Sequence, residues 1–226
     1  MSWESSAIYY RRLNELARER LGGLHSARVV LWSVDFARIA ELQHAGAWSE
    51  AGEVLVAGAR RLEGAGAEVL LLCTNTMHKV ADAIAAAVEI PFLHIADATG
   101  AAIVAAGCHR PALLATRFTM EEPFYLDRLR TRFDLDPLVP DARGREVIHR
   151  VIYEELCQGI VRPEAKVAYR AEIERVRSAG ADAVILGCTE ITMLIGQADV
   201  ALPVFDTTEL HARAAIAYSF AEPSPR

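Results

Sequence analysis

The sequence predicts an α/β fold made of two pseudo-symmetric domains, each a parallel sheet flanked by helices. Three observations carry that reading. Short aliphatic runs recur at 28–33 (RVVLWS), 68–73 (EVLLLC), 111–116 (PALLAT) and 182–187 (DAVILG). Long amphipathic stretches lie between them, and near-continuous apolar strands alternating with helical periods belong to parallel sheets covered on both faces. The chain also repeats itself: GAEVLLLCTNT from Gly66 aligns without a gap on GADAVILGCTE from Gly180.

In chain order, a charged amphipathic helix over 3–20 leads to the first strand at 28–33. A helix over 48–63 ends at Gly64 and Gly66, glycines placed as helix caps usually are. The strand at 68–73 and a helix over 77–87 follow. A short strand at 91–95 opens on Pro91, and a helix at 96–106 closes the first half. The second half runs through a strand at 111–116, a helix over 120–132, a short strand at 137–139, and helices over 143–158 and 163–178. It continues past Gly180 into the strand at 182–187, a short strand at 203–206 opened by Pro203, and a last helix from 208. The repeat reaches further back, because IYYRRL (8–13) resembles FYLDRL (124–129), with Tyr9 opposite Tyr125 and Leu13 opposite Leu129. The expected division is 1–98 together with 208–226 as one domain and 99–207 as the other. Two equivalent strand ends would then face each other across one cleft.

Composition narrows the function. With 226 residues, 52% of them apolar, the chain can build a large core. Its net charge is −6, acids alternate with bases, and no basic stripe is present, so nucleic acid is not an expected partner. The four cysteines form no CxxC, which favours a reducing, cytoplasmic setting. No apolar run reaches the ~18 residues of a membrane span, and the charged opening segment is unlike a signal peptide. The seven histidines are scattered, and neither a GxGxxG nor a P-loop occurs. The expectation is therefore no metal and no cofactor.

The repeat singles out two positions. Thr74, not Cys73, is the counterpart of Cys188. Side chains alternate along a strand, so if Thr74 faces the cleft, Cys73 faces away and packs as a small hydrophobe. Cys188 follows Gly187 and precedes Thr189-Glu190, where a helix start would depress a thiol pKa; the alternative is a buried structural cysteine. Cys108 and Cys157 fall in helical stretches and read as core or surface residues.

CTNTMHKVADAI, PFLHIADAT, TRFTMEEPFY, VIYEEL, GADAVILGCTEI and PVFDTTELHA, taken together and in this order, resemble the aspartate/glutamate racemase family. The resemblance spans essentially the whole chain. It implies a pyridoxal-phosphate-independent amino-acid racemase with its site between two α/β domains, commonly as a homodimer. Two facing cysteines exchange the α-proton in that family, and Cys188 matches the second. Asn75, Thr76 and Thr189 become expected donors to the α-carboxylate, with Thr116 and Thr119 in the equivalent strand-end loop. His78 either tunes protonation or forms a local hydrogen bond. Arg38, Arg162 and Lys166 are candidates for the side-chain carboxylate, and Arg117 is another; each could equally be a solvated surface charge. Ser33 and Asp35 are either site wall or turn residues.

Two departures stand out. Thr74 occupies the position of the first family cysteine, and a hydroxyl is a far weaker acid than a thiol of pKa about 8.5. The two directions of racemisation are therefore expected to be unequal. The family pattern also has a glycine-ending strand just before MSWES, so the first sheet is expected to lack that central strand. Alternative readings are a single-cysteine relative, such as a decarboxylase or hydantoin racemase, or a non-catalytic paralogue that binds a small dicarboxylate.

Overall fold

The computed structural model describes residues 1–221. Helix α1 (Trp3–Leu21) is capped by the Ser2 side chain, which accepts from Ser5 N, and α2 (Phe36–His44) by Asp35. Helix α3 (Trp48–Gly64) leads to β1 (Leu70–Leu71), a 3-10 turn at Thr76–Val80, α4 (Ala81–Ala85), β2 (Phe92–Leu93) and α5 (Ile95–Ala105). The second half holds β3 (Pro111–Ala115), α6 (Arg117–Glu121), α7 (Pro123–Phe133), α8 (Ala142–Glu154), α9 (Pro163–Ser178), β4 (Ala183–Gly187), β5 (Val204–Asp206) and α10 (Thr207–Ser219). The architecture is mixed α/β, with parallel sheets flanked by helices. Strand β1 pairs with β2 in parallel, and β3–β4–β5 form a second parallel sheet with a single bridge from Ala112 to Leu138.

Strands β3 and β4 are buried at every residue, as their uninterrupted aliphatic runs require of a sheet covered on both faces. They anchor the larger core, with Tyr125, Leu129, Ile148 and Tyr169 packed around them. Gly187 ends β4 where space allows nothing larger: a Cβ there would sit 2.6 Å from Leu113 Cδ1 and 2.9 Å from the Ala115 Cβ. Helix α10 packs on α1 through Ala212, Ile216, Tyr9 and Leu16. Buried at the same place, His211 Nε2 meets Leu93 O and His211 Nδ1 meets the Tyr9 hydroxyl, each at 2.8 Å.

Several sequence expectations are corrected. The run 28–33 is not a strand; Val29, Val30, Leu31 and Trp32 are exposed. Among the described residues no strand lies beside it to complete its hydrogen bonds, and it instead lies along α3, with the Arg61 guanidinium 4.8 Å from the Trp32 ring centroid. Strands 68–73 and 91–95 shrink to two residues each, since the first sheet has two strands among the described residues. The 137–139 strand reduces to the Leu138 bridge. The helix over 120–132 breaks at Pro123, which has no N–H to donate and begins α7 instead. The helix over 143–158 stops at Glu154 and continues as a 3-10 turn at Leu156–Gln158. Helix α2 was not anticipated. The last helix ends at Ser219, and residues 222–226 of its expected domain lie outside the described residues.

Candidate active site

The tips of β1 and β4 meet at one cleft of about 370 Å³, its open mouth included. Thr74, Asn75 and Thr76 reach it from the first sheet, and Gly187, Cys188, Thr189 and Glu190 from the second; Thr116 joins them from the end of β3. Cys73 lies outside the lining. It packs with Leu13 and Leu71 beneath α1, and burial pushes its thiol up to about 11. The strand tip thus presents a hydroxyl to the cleft and buries the neighbouring sulfur.

Threonine hydroxyls dominate the wall. Thr76 Oγ1 lies 2.8 Å from Thr116 Oγ1 and 3.1 Å from Thr119 Oγ1. Thr189 Oγ1 lies 2.8 Å from Ser5 Oγ, which in turn donates to Cys73 O. The buried Asn75 side chain donates from Nδ2 to Thr207 Oγ1 at 3.0 Å, leaving Asn75 Oδ1 without a partner. One N–H of that amide is engaged, so Asn75 keeps a second N–H donor beside this acceptor oxygen.

Cys188 is half-buried and its Sγ donates to Glu190 Oε2 at 3.0 Å. The 3-10 turn at Thr189–Met193 does not lower this thiol as expected. Burial pushes it well above its ordinary value, and the Glu190 charge pushes it further. Glu190 is itself buried. Ser2 Oγ donates to its Oε1 at 2.5 Å, and Cys157 Sγ lies 3.7 Å from the same oxygen. Burial would raise the carboxyl, but the Met1 amino group and the hydrogen bonds from Cys188 and Ser2 hold it below its usual range.

His78 does not line the cleft. Its Nδ1 bonds to Thr74 O at 2.7 Å and its Nε2 accepts from Ile95 N at 3.2 Å, so it braces the backbone that carries Thr74. Burial, with His94 and His211 beside it, keeps it neutral. Arg38, Arg162, Lys166 and Arg117 also lie outside the lining. Arg38 is exposed on α2, Arg162 is exposed 3.9 Å from Glu155, Lys166 pairs with Asp199 at 2.7 Å, and Arg117 faces Glu146 at 3.9 Å. Ser33 is exposed, and Asp35 caps α2.

Sequence reasoning missed Glu190, Cys157, Ser2, Ser5, Phe36, Gln43 and Tyr153. Phe36 and Gln43 ride on the unanticipated α2. The Tyr153 hydroxyl donates to Gln43 Oε1 at 2.8 Å, fixing one wall of the cleft. Glu190 had a visible signal: a carboxylate two residues past a cysteine at a strand tip.

A family model described as Asp/Glu/hydantoin racemase matches residues 1–215. A crystal structure of a Yersinia pestis protein assigned as an Asp/Glu racemase superposes with a TM-score of 0.89 at 48% identity, covering 97% of this chain and 96% of that one. An aspartate racemase homologue from Pyrococcus horikoshii OT3 gives 0.82 at 33% identity, over 96% and 94%. The broad specificity amino-acid racemase RacX of Bacillus subtilis (strain 168) is 24% identical over 175 residues, 74% of this chain and 71% of RacX. Among the described residues, no helix is long and apolar enough to cross a membrane.

Proposed function

The chain belongs to the Asp/Glu/hydantoin racemase family and is an amino-acid racemase, an isomerase, and we propose that it inverts the α-carbon of aspartate or glutamate without a cofactor. One observation carries this reading: Thr74 and Cys188, counterparts in the internal repeat, line the same cleft from two different sheets. In this reading residues 1–98 with 208–226 and residues 99–207 close on the substrate as two domains. The enzyme is taken as a cytoplasmic homodimer, on the family resemblance and on its four free cysteines.

Cys188 takes the α-hydrogen from one face, and the Thr74 hydroxyl stands on the other. The carbanion is the costly species, so donors aimed at the α-carboxylate supply most of the stabilisation. Thr76, Thr116 and Thr189 have that role here, and Asn75 Oδ1 accepts from the substrate ammonium. Inversion runs mainly from the enantiomer whose α-hydrogen faces sulfur, because a hydroxyl is the weaker acid and, once ionised, the harder species to form. Incubation of L- and D-aspartate and glutamate in D₂O tests the reading. Deuterium should enter at the α-carbon and be lost in Cys188→Ala; binding without exchange would overturn it.

A second reading concerns breadth of substrate. Among the described residues no lysine or arginine side chain lines the cleft, while Phe36 and Ile152 do, and the RacX relative is named for broad specificity. Uncharged amino acids such as alanine or methionine belong in the same exchange assay. Exchange with the acids alone would remove this second reading.

A further inference from the structure

We propose that Glu190 is the positioning residue that accepts the Cys188 thiol proton while the sulfur takes the substrate's α-hydrogen. The inference rests on the racemase reading and adds to it the destination of the first proton.

The geometry comes first. Cys188 Sγ points its hydrogen at Glu190 Oε2, 3.0 Å away, and Ser2 Oγ holds the other oxygen at 2.5 Å. Glu190 is 3% exposed, so this carboxylate is locked rather than swinging in solvent. A buried carboxylate two residues from the reacting sulfur is a liability in any scheme where the thiol simply ionises. Two negative charges would then sit about one hydrogen bond apart in a low-dielectric wall. A concerted step avoids that.

In that step the Cα–H hydrogen moves to Sγ as a proton and the C–H electron pair stays on the substrate. At the same time the former Sγ–H proton moves to Glu190 Oε2. Sulfur begins and ends as a neutral thiol, Glu190 becomes a neutral acid, and the single negative charge passes from Glu190 to the substrate. Atoms and charge balance within that step; the substrate carbanion then takes the Thr74 hydroxyl proton at its other face, and before the next turnover Glu190 gives its proton to solvent water while the Thr74 alkoxide takes one from it. Run backwards, the same path returns the Glu190 proton to Sγ as the thiol hydrogen moves to the α-carbon, so sulfur stays neutral in both directions.

Other groups bear on this pair. Cys157 Sγ approaches Glu190 from the 3-10 turn at Leu156–Gln158, and the Met1 amino group lies ahead of α1, donating to Cys73 O at 2.8 Å. The Tyr153 and Tyr169 hydroxyls, on α8 and α9, are held protonated mainly by burial and also feel the charges of Cys188 and Glu190. Among these, Cys188, Cys157 and Ser2 are in hydrogen-bond contact with the carboxylate.

Two readouts on the full chain separate this role from a structural one. In Glu190→Gln, kcat for α-deuterium exchange should fall on the order of 10²-fold with KM little changed, the size expected for loss of a proton acceptor. Alkylation of Cys188 by iodoacetamide at pH 8, read by peptide mass, should instead rise on the order of tenfold, as a one-unit fall in thiol pKa gives. Glu190→Asp should keep a measurable part of kcat and a pH–rate profile shaped like that of the unaltered enzyme. Opposite movement of exchange and alkylation is the signature. Unchanged exchange in Glu190→Gln overturns the inference, as does slower exchange with unchanged alkylation. Equal losses in Glu190→Gln and Glu190→Asp also overturn it. Unaltered enzyme that exchanges neither acid sinks the racemase reading and this step together, whereas exchange unaffected by Glu190→Gln sinks this step alone.

Discussion

Thr76 Oγ1 and Thr116 Oγ1 are 2.8 Å apart, so a hydroxyl from the tip of the first sheet is tied directly to one from the tip of the second. Both threonines are buried. A contact of this kind joins the two halves at the wall of the cleft, and under the proposed racemase reading it would couple stability to binding.

Thr116→Val removes one side of that contact at nearly constant volume and leaves Thr76 and Thr119 to each other. Stability should fall by about 1 kcal/mol, the usual net worth of such a bond. In the exchange assay KM should rise more than kcat falls. Denaturant unfolding followed alongside kinetics checks both; a variant with unchanged KM would show that Thr116 takes no part in binding.

Thr74→Cys restores a second thiol at the strand tip. Whichever enantiomer the unaltered enzyme turns over more slowly should gain at least about tenfold in initial rate, since a thiol pKa lies several units below that of an aliphatic hydroxyl. Initial rates from pure L- and D-substrate give the answer directly. No gain from either would mean that Thr74 does not face the α-carbon.

Gly187→Ala would drive a methyl group into Leu113 Cδ1 and the Ala115 Cβ. Overpacking at that position should cost about 1–3 kcal/mol, and it should misplace Cys188, the next residue. A lowered thermal midpoint together with slowed exchange is expected. Full stability would mean that β3 and β4 separate more readily than their buried ladder suggests.

Stability should fall as pH drops below about 6.5, the ordinary histidine value. Burial depresses His211 to about 4 and His94 to about 3. Between those values and 6.5 the unfolded chain binds protons that the folded chain refuses, so the contribution is fully present above about 6.5 and is lost as pH falls toward 4 and then 3. His211 alone corresponds to a loss on the order of 3 kcal/mol, because burial disfavours the charged imidazolium. Urea midpoints measured from pH 7 to pH 4.5 should decline, and His211→Gln should flatten the decline. An equally steep decline in that variant would assign the acid sensitivity elsewhere.

What the amino-acid order determined by itself was whatever depends on local pattern. Uninterrupted aliphatic runs marked β3 and β4, since only a doubly covered strand tolerates them. The internal repeat set Thr74 opposite Cys188 and left Cys73 to the core, because side-chain alternation allows one of two neighbours to face a cleft. Tertiary structure decided everything that needs a partner. The run 28–33 is as aliphatic as β3, yet it stays uncovered, since a strand exists only where another lies beside it. Lys166 carries the charge expected of a substrate anchor, but its ammonium is matched to Asp199. Asn75 Nδ2 found its partner in Thr207, 132 residues away in the chain. Glu190 gained its place against the Cys188 sulfur because Ser2, 188 residues away in the chain, holds its other oxygen. Periodicity encodes burial, while hydrogen bonds and ion pairs between distant residues are settled only when the chain has closed on itself.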